Sequence, residues 1–555
     1  MFKIKSLPFC SAIVALLVAS SGSVFALDNT QILLTTGDAA PDGNGVFSDF
    51  HEFRGPGLGN SGQATFLAEL TGTDDTDSRS SGIFMNDGVT GPQRVVREDQ
   101  VLPTGDRILR FFSNDVVTTN NLGELAFDSR IVFSNGSVGL GLFIADGQGS
   151  FASVSRTFDA VPDGNGQFSQ FFGIRLNDSG KTVFSSTINQ TAGGDNDDRG
   201  IYTGDGSTAP VLVAREGQLA PNGNGEFVIN FAASGINNAG QVLFQTDLRN
   251  TAGDASDDNA IYVSDATTGL VQIARKGQAG PQGDGTFSRI GNPEINNAGQ
   301  VVFEANFTGS TNGSSGVFVY DGTAELRKIV RIGDAVPGSN GGFTNGFRGQ
   351  TINDTGEVAR IASIVDNDNN VGSFGSGIFR DAGSGLQHVQ IFGDPIPTGN
   401  GVFLGFNSLA LNEVGQLVFG ASLGDTTGGD ADDSGLFFYD SNFGLSEIAR
   451  EGDLLLGRQI TNILFDEEES ENALNDAGQV VYQFELADGR KGIALWSAAV
   501  VLGDVSQDGT VTFADIAPFI EVLQAGTFLE EADVNQDGAV TFADIAPFIV
   551  ILSAT

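Results

Sequence analysis

The chain is almost without sulfur and imidazole: one cysteine, two methionines and two histidines among 555 residues. The lone cysteine, Cys10, sits in the apolar start of the sequence. Downstream of it there can be no disulfide, no cysteine-ligated metal and no thiol nucleophile. His51 and His388 lie far apart, and neither has a partner motif around it. No HExxH, nucleophile elbow or phosphate loop occurs. Basic residues are also scarce, 28 against 69 acids, for a net charge of −41. Nucleic acid and anionic lipid surfaces both need basic grooves or patches, so neither is expected as a partner. Such a charge suits a soluble exported protein that meets salt or divalent cations.

Long apolar runs are missing except at the start. Leu7 to Val18 is apolar, follows Lys3 and Lys5, and leads to the cleavage-like Val24-Phe25-Ala26. This predicts a signal peptide over residues 1–26 and a secreted or cell-surface chain with no transmembrane segment after cleavage. The mature chain loses two lysines and no acids, which takes the net charge to −43.

What is abundant is glycine, 77 residues, and phenylalanine, 44. Together they point to many short strands and tight turns. The phrase "INNAGQVLF" at 236–244 returns as "INNAGQVVF" at 295–303, and weaker copies bring the total to eight. The shared glycines are Gly62, Gly123, Gly180, Gly240, Gly299, Gly356, Gly415 and Gly478, spaced 57 to 63 residues apart. Each unit runs turn, Phe-rich segment, Asn-x-x-Gly, alternating segment, loop, third apolar segment and final segment. Asn and Gly tolerate positive φ, so Asn-x-x-Gly closes a hairpin. The alternation that follows is that of half-buried strands.

Four strands per unit cannot bury both faces alone, but eight units can stack radially. The predicted fold is therefore all-β, an eight-bladed β-propeller over residues 30–496; a linear solenoid is the rival. "TQILLTTGD" at 30–38 matches the last strand of a unit, which the eighth unit lacks. The N-terminal strand is thus expected to close the ring. The repeats resemble a bacterial family of exported tandem-repeat proteins named for the motif Asn-x-x-Gly-x-x-Ala-Phe. That resemblance implies no activity. Two departures stand out: Gly59 for the first Asn, and Arg360 for the aromatic in unit six.

Within the repeats, Arg97, Arg156, Arg215, Arg275, Arg331 and Arg450 end the last strand of their units. They read as structural partners of nearby acids or as a guanidinium ring around an acidic-sugar site. Acidic loops such as "TAGGDNDDRG" read as solvated turns or as further calcium sites. The acidic run Asp466, Glu467, Glu468, Glu469 and Glu471 breaks the repeat pattern and reads as a solvated loop.

The end of the chain says one phrase twice, "GDVSQDGTVTFADIAPFI" at 503–520 and "ADVNQDGAVTFADIAPFI" at 532–549. Its oxygen donors fall at the spacing of an EF-hand-type loop, with glycine at the sharp turn. The first loop offers Asp504, Ser506, Asp508, the Thr510 carbonyl, Thr512 and Asp515; the second offers Asp533, Asn535, Asp537, the Ala539 carbonyl, Thr541 and Asp544. Calcium is hard and takes six to eight oxygens, so two Ca2+ sites are expected. A loop followed by an apolar helix, used twice, resembles a type I dockerin module over 503–552, after a linker at 497–502. The resemblance implies calcium-dependent folding and docking onto a cohesin-like or other envelope protein. Phe513-Ala514 and Phe542-Ala543 depart from the small polar recognition residues of such modules, and Pro518 and Pro547 sit early in the helices.

The sequence thus suggests a monomeric, non-catalytic protein that binds or displays, with a glycan as one possible propeller ligand. The alternative is an extracellular carbohydrate-active enzyme, lyase or hydrolase, with its site in the propeller channel.

Overall fold

A computed structural model of the chain describes residues 29–498 and 505–554, apart from 51–54, 75–79, 103, 111–116, 148, 229–232, 323–325, 367–372, 466–472, 506–510, 526–528 and 535–538. The expected signal peptide, His51 and the acidic run at 466–471 lie outside the described residues.

Local sequence explains how each blade begins. The first strand carries two large apolar side chains three residues apart, such as Phe47 and Phe50, or Phe168 and Phe171. Strict alternation would send them to opposite faces. A register shift between them, at Phe47/Asp49, Phe168/Gln170, Phe287/Arg289 and Phe403/Gly405, puts both on one side. There they meet aromatics from the second and third strands. In blade 3, Phe168, Phe171, Phe184 and Tyr202 have ring centroids 4.9–6.1 Å apart. Blade 7 repeats this with Phe403, Phe406, Phe419 and Phe437.

Asn-x-x-Gly then turns the chain. The amide of Gly240 donates to the Asn237 carbonyl at 2.8 Å, and the Asn237 Oδ1 accepts the Gln241 amide at 2.9 Å. All eight shared glycines have φ between +70° and +84°. They also face a close neighbour: a Cβ on Gly299 would lie 2.8 Å from the Gln241 Oε1 of the preceding blade. Both conformation and space demand glycine here.

Eight antiparallel sheets result, each with four or five strands. Blades 1 to 7 occupy residues 46–97, 107–156, 167–215, 226–275, 286–331, 342–391 and 402–450 in turn. Blade 8 comprises residues 454–497 and takes its outermost strand from the N-terminus, where Thr30–Thr35 pairs with Lys491–Ser497. The expected eight-bladed propeller, with its closing N-terminal strand, is what the chain forms. The apolar core is a ring of seams: one buried cluster joins blades 1 and 2, another blades 5 and 6, and another blades 8 and 1. No blade buries its faces without its neighbours.

The C-terminal segment carries helices Ile516–Ala525 and Ile545–Ala554. Phe519 and Phe548, equivalent positions in the doubled phrase, stack at 4.3 Å with 2° between their planes. Val505, Ala532 and Val534 complete this small core. Pro518 and Pro547 fall at the third helical residue, in the first turn, where a missing N–H costs nothing.

Asn296 tests the turn chemistry. Its Nδ2 donates to the Asn353 carbonyl of the next blade at 2.7 Å, and its Oδ1 accepts the Gln300 amide at 2.8 Å. Asn296→Ala strands both buried partners and is expected to cost about 2–4 kcal/mol in urea unfolding. Asn296→Asp keeps the acceptor but loses the donor, and should cost nearly as much. A cost below about 0.5 kcal/mol for either would refute the account.

Candidate functional site

The first strand of each blade lines the central channel, and the Asn-x-x-Gly hairpins ring one part of it. The leading asparagines, Asn120, Asn177, Asn237, Asn296, Asn353, Asn412 and Asn475, each donate Nδ2 to the main-chain carbonyl of the equivalent residue in the next blade, at 2.7–3.2 Å. Blade 1 has Gly59 at this position and only receives; it passes the belt on through the Asn60 amide, which donates to the Asn121 carbonyl at 2.8 Å.

The next residue along makes a second ring. The main-chain amides of Asn121, Asp178, Asn238, Asn297, Asp354, Glu413 and Asp476 each donate to a side-chain oxygen in the following blade, at 2.6–3.1 Å. Carboxylates and amides are interspersed: Asn60, Asn121, Asn238 and Asn297 are neutral, while Asp178, Asp354, Glu413 and Asp476 are acids. Of these, Asn121, Asp178, Asn238, Asn297, Asp354 and Glu413 line a cavity of about 180 Å³ together with Leu176, Ile236, Ile295 and Ile352. Burial pushes the Glu413 carboxyl up to about 7, and the charges of Asp354, Asp476 and Asp178 add to the rise. Near neutral pH, then, one member of the ring holds a proton. The sequence reading treated these residues as turn positions; the signal was the acid or amide after each leading Asn.

The recurring arginines take the structural one of their two readings. Arg97, Arg156, Arg215 and Arg331 pair with Asp42, Asp106, Asp163 and Asp284 at 2.6–2.9 Å. Arg275 and Arg450 pair with Asp257 and Asp432 at 3.3 Å. Each ends the last strand of its blade and ties that strand to a turn or loop of the same blade, away from the channel wall. In the acidic loops, Asp197, Asp257 and Asp432 accept the amides of Gly193, Gly253 and Gly428, which together with nearby side chains holds their carboxyls below the usual range against the opposing pull of burial. No group of three acidic, histidine or cysteine side chains placed to hold a metal occurs among the described residues. His388 is exposed, and its Nδ1 lies 2.8 Å from the Pro337 carbonyl oxygen.

Blade 6 is the irregular one. Arg360, at the aromatic position of its second strand, is fully buried and stacks over Phe347 with its guanidinium 4.4 Å from the ring centre. Its Nη2 reaches Glu304 of blade 5 at 3.4 Å. Burial raises the Glu304 carboxyl despite that charge.

In the C-terminal module, Asp504, Ser506, Asp508, Thr510, Asn535 and Asp537 lie outside the described residues. The described candidates are Thr512, Asp515, Asp533, Ala539, Thr541 and Asp544. Asp515 and Asp544 are fully buried, and each accepts the amide of the threonine three residues earlier, at 2.7 and 2.8 Å. Thr512 and Thr541 in turn accept the amides of Ala514 and Ala543 at 3.2 and 3.1 Å. These bonds orient the last carboxylate of each loop, and the all-oxygen donor set suits a hard cation.

Three consecutive stretches, 19–91, 77–280 and 270–501, match a family of unknown function, DUF7453. Residues 502–552 match the dockerin type I domain. No curated protein is matched. Among solved structures, the chain is similar to a mutant puromycin hydrolase complexed with PGG (13% identity, TM-score 0.37, 78% of this chain and 58% of that one). It is also similar to the polysaccharide lyase Uly1 (11% identity, TM-score 0.32, 79% and 90%) and to an α-L-arabinanase of Penicillium chrysogenum complexed with arabinobiose (12% identity, TM-score 0.27, 61% and 97%). The chain spans 58% of the length of that hydrolase and 58% of a Pyrococcus horikoshii acylaminoacyl peptidase. These proteins are enzymes, and the expectation that this chain is not an enzyme is corrected on that finding. At such identities and TM-scores they assign it neither an activity nor a substrate.

Glu413 gives the ring a pH signature. Its carboxyl sits near 7 in the fold against an ordinary 4.5, so ionising it opposes folding as pH rises through that interval. Glu413→Gln is expected to raise Tm at pH 8 and leave it nearly unchanged at about pH 3.5, below the unfolded value. An equal shift at both pH values would reject the burial of that carboxyl.

Proposed function

The chain belongs to the DUF7453 family, a family of unknown function, and ends in a type I dockerin domain; from that premise we propose that it is an exported propeller that cleaves carbohydrate at its channel and is tethered through its C-terminal module. Residues 1–26 direct export, 30–496 form the working body, 497–502 link, and 503–552 attach. The tandem-repeat motif fits this exported character. Type I dockerin domains bind calcium in general and dock onto cohesins.

The observation that carries the catalytic part is the set of three carboxyl groups lining the channel cavity, Asp178, Asp354 and Glu413, with the last pushed up to about 7 and Asp476 close enough to add to that rise. A sugar-cleaving site needs one carboxyl that keeps a proton and another that has lost it, set apart by environment. Glu413 is the proton donor to the departing glycosidic oxygen. Among its neighbours Asp354, Asp476 and Asp178, one serves as the base or nucleophile. The interspersed amides of Asn238 and Asn297 hydrogen-bond sugar hydroxyls. At about 180 Å³ the cavity is smaller than the ~300–1,000 Å³ of a drug-sized ligand's pocket. It admits the end of a chain and not an extended polymer.

Two calcium ions are held by the doubled loop, with Asp515 and Asp544 closing the sites alongside Thr512, Asp533, the Ala539 carbonyl and Thr541. The metal supplies folding free energy to a core of very few apolar residues. Phe513 and Phe542 stand 80% and 82% exposed at equivalent places beside the loops. They give the docking face an apolar character, matched by an apolar patch on the partner.

Glu413→Gln is expected to lower release of reducing or unsaturated ends from a panel of plant and algal polysaccharides by roughly 10²-fold or more, with the fold intact by circular dichroism. A variant as active as the parent removes Glu413 from the chemistry, and an inactive parent across the panel removes the enzyme reading. For the tether, chelation with EGTA is expected to abolish amide-exchange protection in 516–525 and 545–554 while leaving the blades protected. Protection of both helices that survives EGTA would exclude a calcium-dependent module.

A further inference from the structure

The charge of the channel wall is out of keeping with the rest of the chain. Acids outnumber bases 69 to 28, so an arginine ordinarily finds a carboxylate. Most described arginines do: residues 94, 97, 107, 156, 215, 249, 275, 327, 331, 360, 380, 450, 458 and 490 are ion-paired. Arg175, Arg289 and Arg348 form no ion pair with any described residue. All three lie on first strands, those of blades 3, 5 and 6, whose last residues Leu176, Ile295 and Ile352 line the channel cavity; the arginines themselves stand further back along the strands, outside that lining. Arg130 and Arg199 are also outside ion pairs, but they lie on the second and third strands of their blades.

Their hydrogen bonding leaves capacity for a ligand. Arg175 gives Nη1 to the Ile174 carbonyl at 3.0 Å, and Arg348 gives Nη2 to the Phe406 carbonyl at 3.1 Å. A guanidinium carries five donors. Arg289 and Arg348 are exposed. Arg175 is three residues from Asp178 of the acid ring, about 10 Å along a strand.

The seam between blades 5 and 6 sets these arginines apart from mere surface charge. Elsewhere an aromatic fills the core position that Arg360 takes. Its Nε and Nη1 are buried without a hydrogen-bond partner among the described residues, as is the Oε1 of Gln350. Gln350 donates to the Asn292 carbonyl, and Asn292 donates to Glu304 at 3.3 Å. A buried ion pair gains little over an apolar pair of like volume, so stability alone is a weak reason for Arg360. The seam sets Arg360 against Glu304, and Arg289 also acts on that carboxyl, so two guanidinium groups share it beside the stretch of wall bearing Arg289 and Arg348.

We propose that the channel selects an anionic glycan, one bearing carboxylate or sulfate groups, with Arg289 and Arg348 as direct contacts, Arg175 as a further contact around the ring, and Arg360 holding the seam carboxyl Glu304 back from the ligand. Guanidinium groups bind both anions through paired N–H donors. The inference rests on the reading of the channel as a carbohydrate site and names the substrate class. The chain's overall negative charge opposes long-range approach of a polyanion, and salt and calcium screen that opposition.

The test is binding of the calcium-loaded full chain to polygalacturonate, dextran sulfate and neutral linear arabinan, by calorimetry. At least one polyanion should bind roughly tenfold or more tightly than arabinan, and Arg289→Gln with Arg348→Gln should lower that affinity roughly tenfold or more. Arg94→Gln, an exposed substitution on the outer strand of blade 1, should leave it unchanged. Preference for polygalacturonate or for dextran sulfate identifies carboxylate or sulfate, and either supports the proposal. Arabinan bound as well as both polyanions, with no effect of the arginine variants, overturns the selectivity and leaves the channel reading standing. No binding of any of the three overturns both.

Discussion

One side-chain amide, used seven times, holds the ring. Each leading asparagine caps its own hairpin with Oδ1 and reaches the next blade's backbone with Nδ2. A single residue thus fixes a local turn and the angle between blades. Asn alone supplies both an acceptor and a donor at that reach. The glycine three residues on completes the constraint, since its positive φ is one that residues with a Cβ rarely adopt, and in units such as those of Gly62, Gly123 and Gly299 a Cβ would also press on the preceding blade's Gln. Buried polar groups left unpaired are costly, so a blade rotated out of place loses bonds in two seams at once.

The same belt makes the channel chemically interesting. Once the leading residue is committed to structure, the next is free to vary between Asn, Asp and Glu while its backbone amide keeps the second ring closed. Acids and amides therefore gather around one cavity without breaking the belt. Glu413 carries a longer side chain than its aspartate neighbours, and burial, reinforced by their charges, raises its proton affinity. Blade 6 shows the opposite case, where a core position itself has been given to Arg360 and the aromatic packing of the seam is reduced to Phe343 against Phe379 at 4.7 Å.

The C-terminal module solves its stability problem differently. It has no ring of seams to share its core. Two copies of one phrase face each other, and the equivalent Phe519 and Phe548 stack nearly parallel. The threonine and aspartate at the end of each loop form a short hydrogen-bonded bracket around a buried carboxylate. Phe513 and Phe542 are left outside, where burial against another surface is their only way to leave water.

Sequence by itself determined the repeat count, the all-β class, the hairpin at every Asn-x-x-Gly and the closing strand at 30–35. Each rests on local chemistry or on period, which survive without coordinates: glycine for positive φ, alternation for strands, and a missing eighth strand matched by a spare first one. The doubled loop phrase was legible for the same reason, because ligand spacing is a property of neighbours in the chain. Tertiary structure alone decided what the arginines do. Arg97 and Arg289 look alike in sequence, yet one lies at the outer end of a blade beside Asp42 and the other on the channel wall without an ion pair. It also decided that Asp178, Asp354 and Glu413, spread over more than 200 residues of sequence, share one cavity. Ring closure sets those distances, and no local rule contains it.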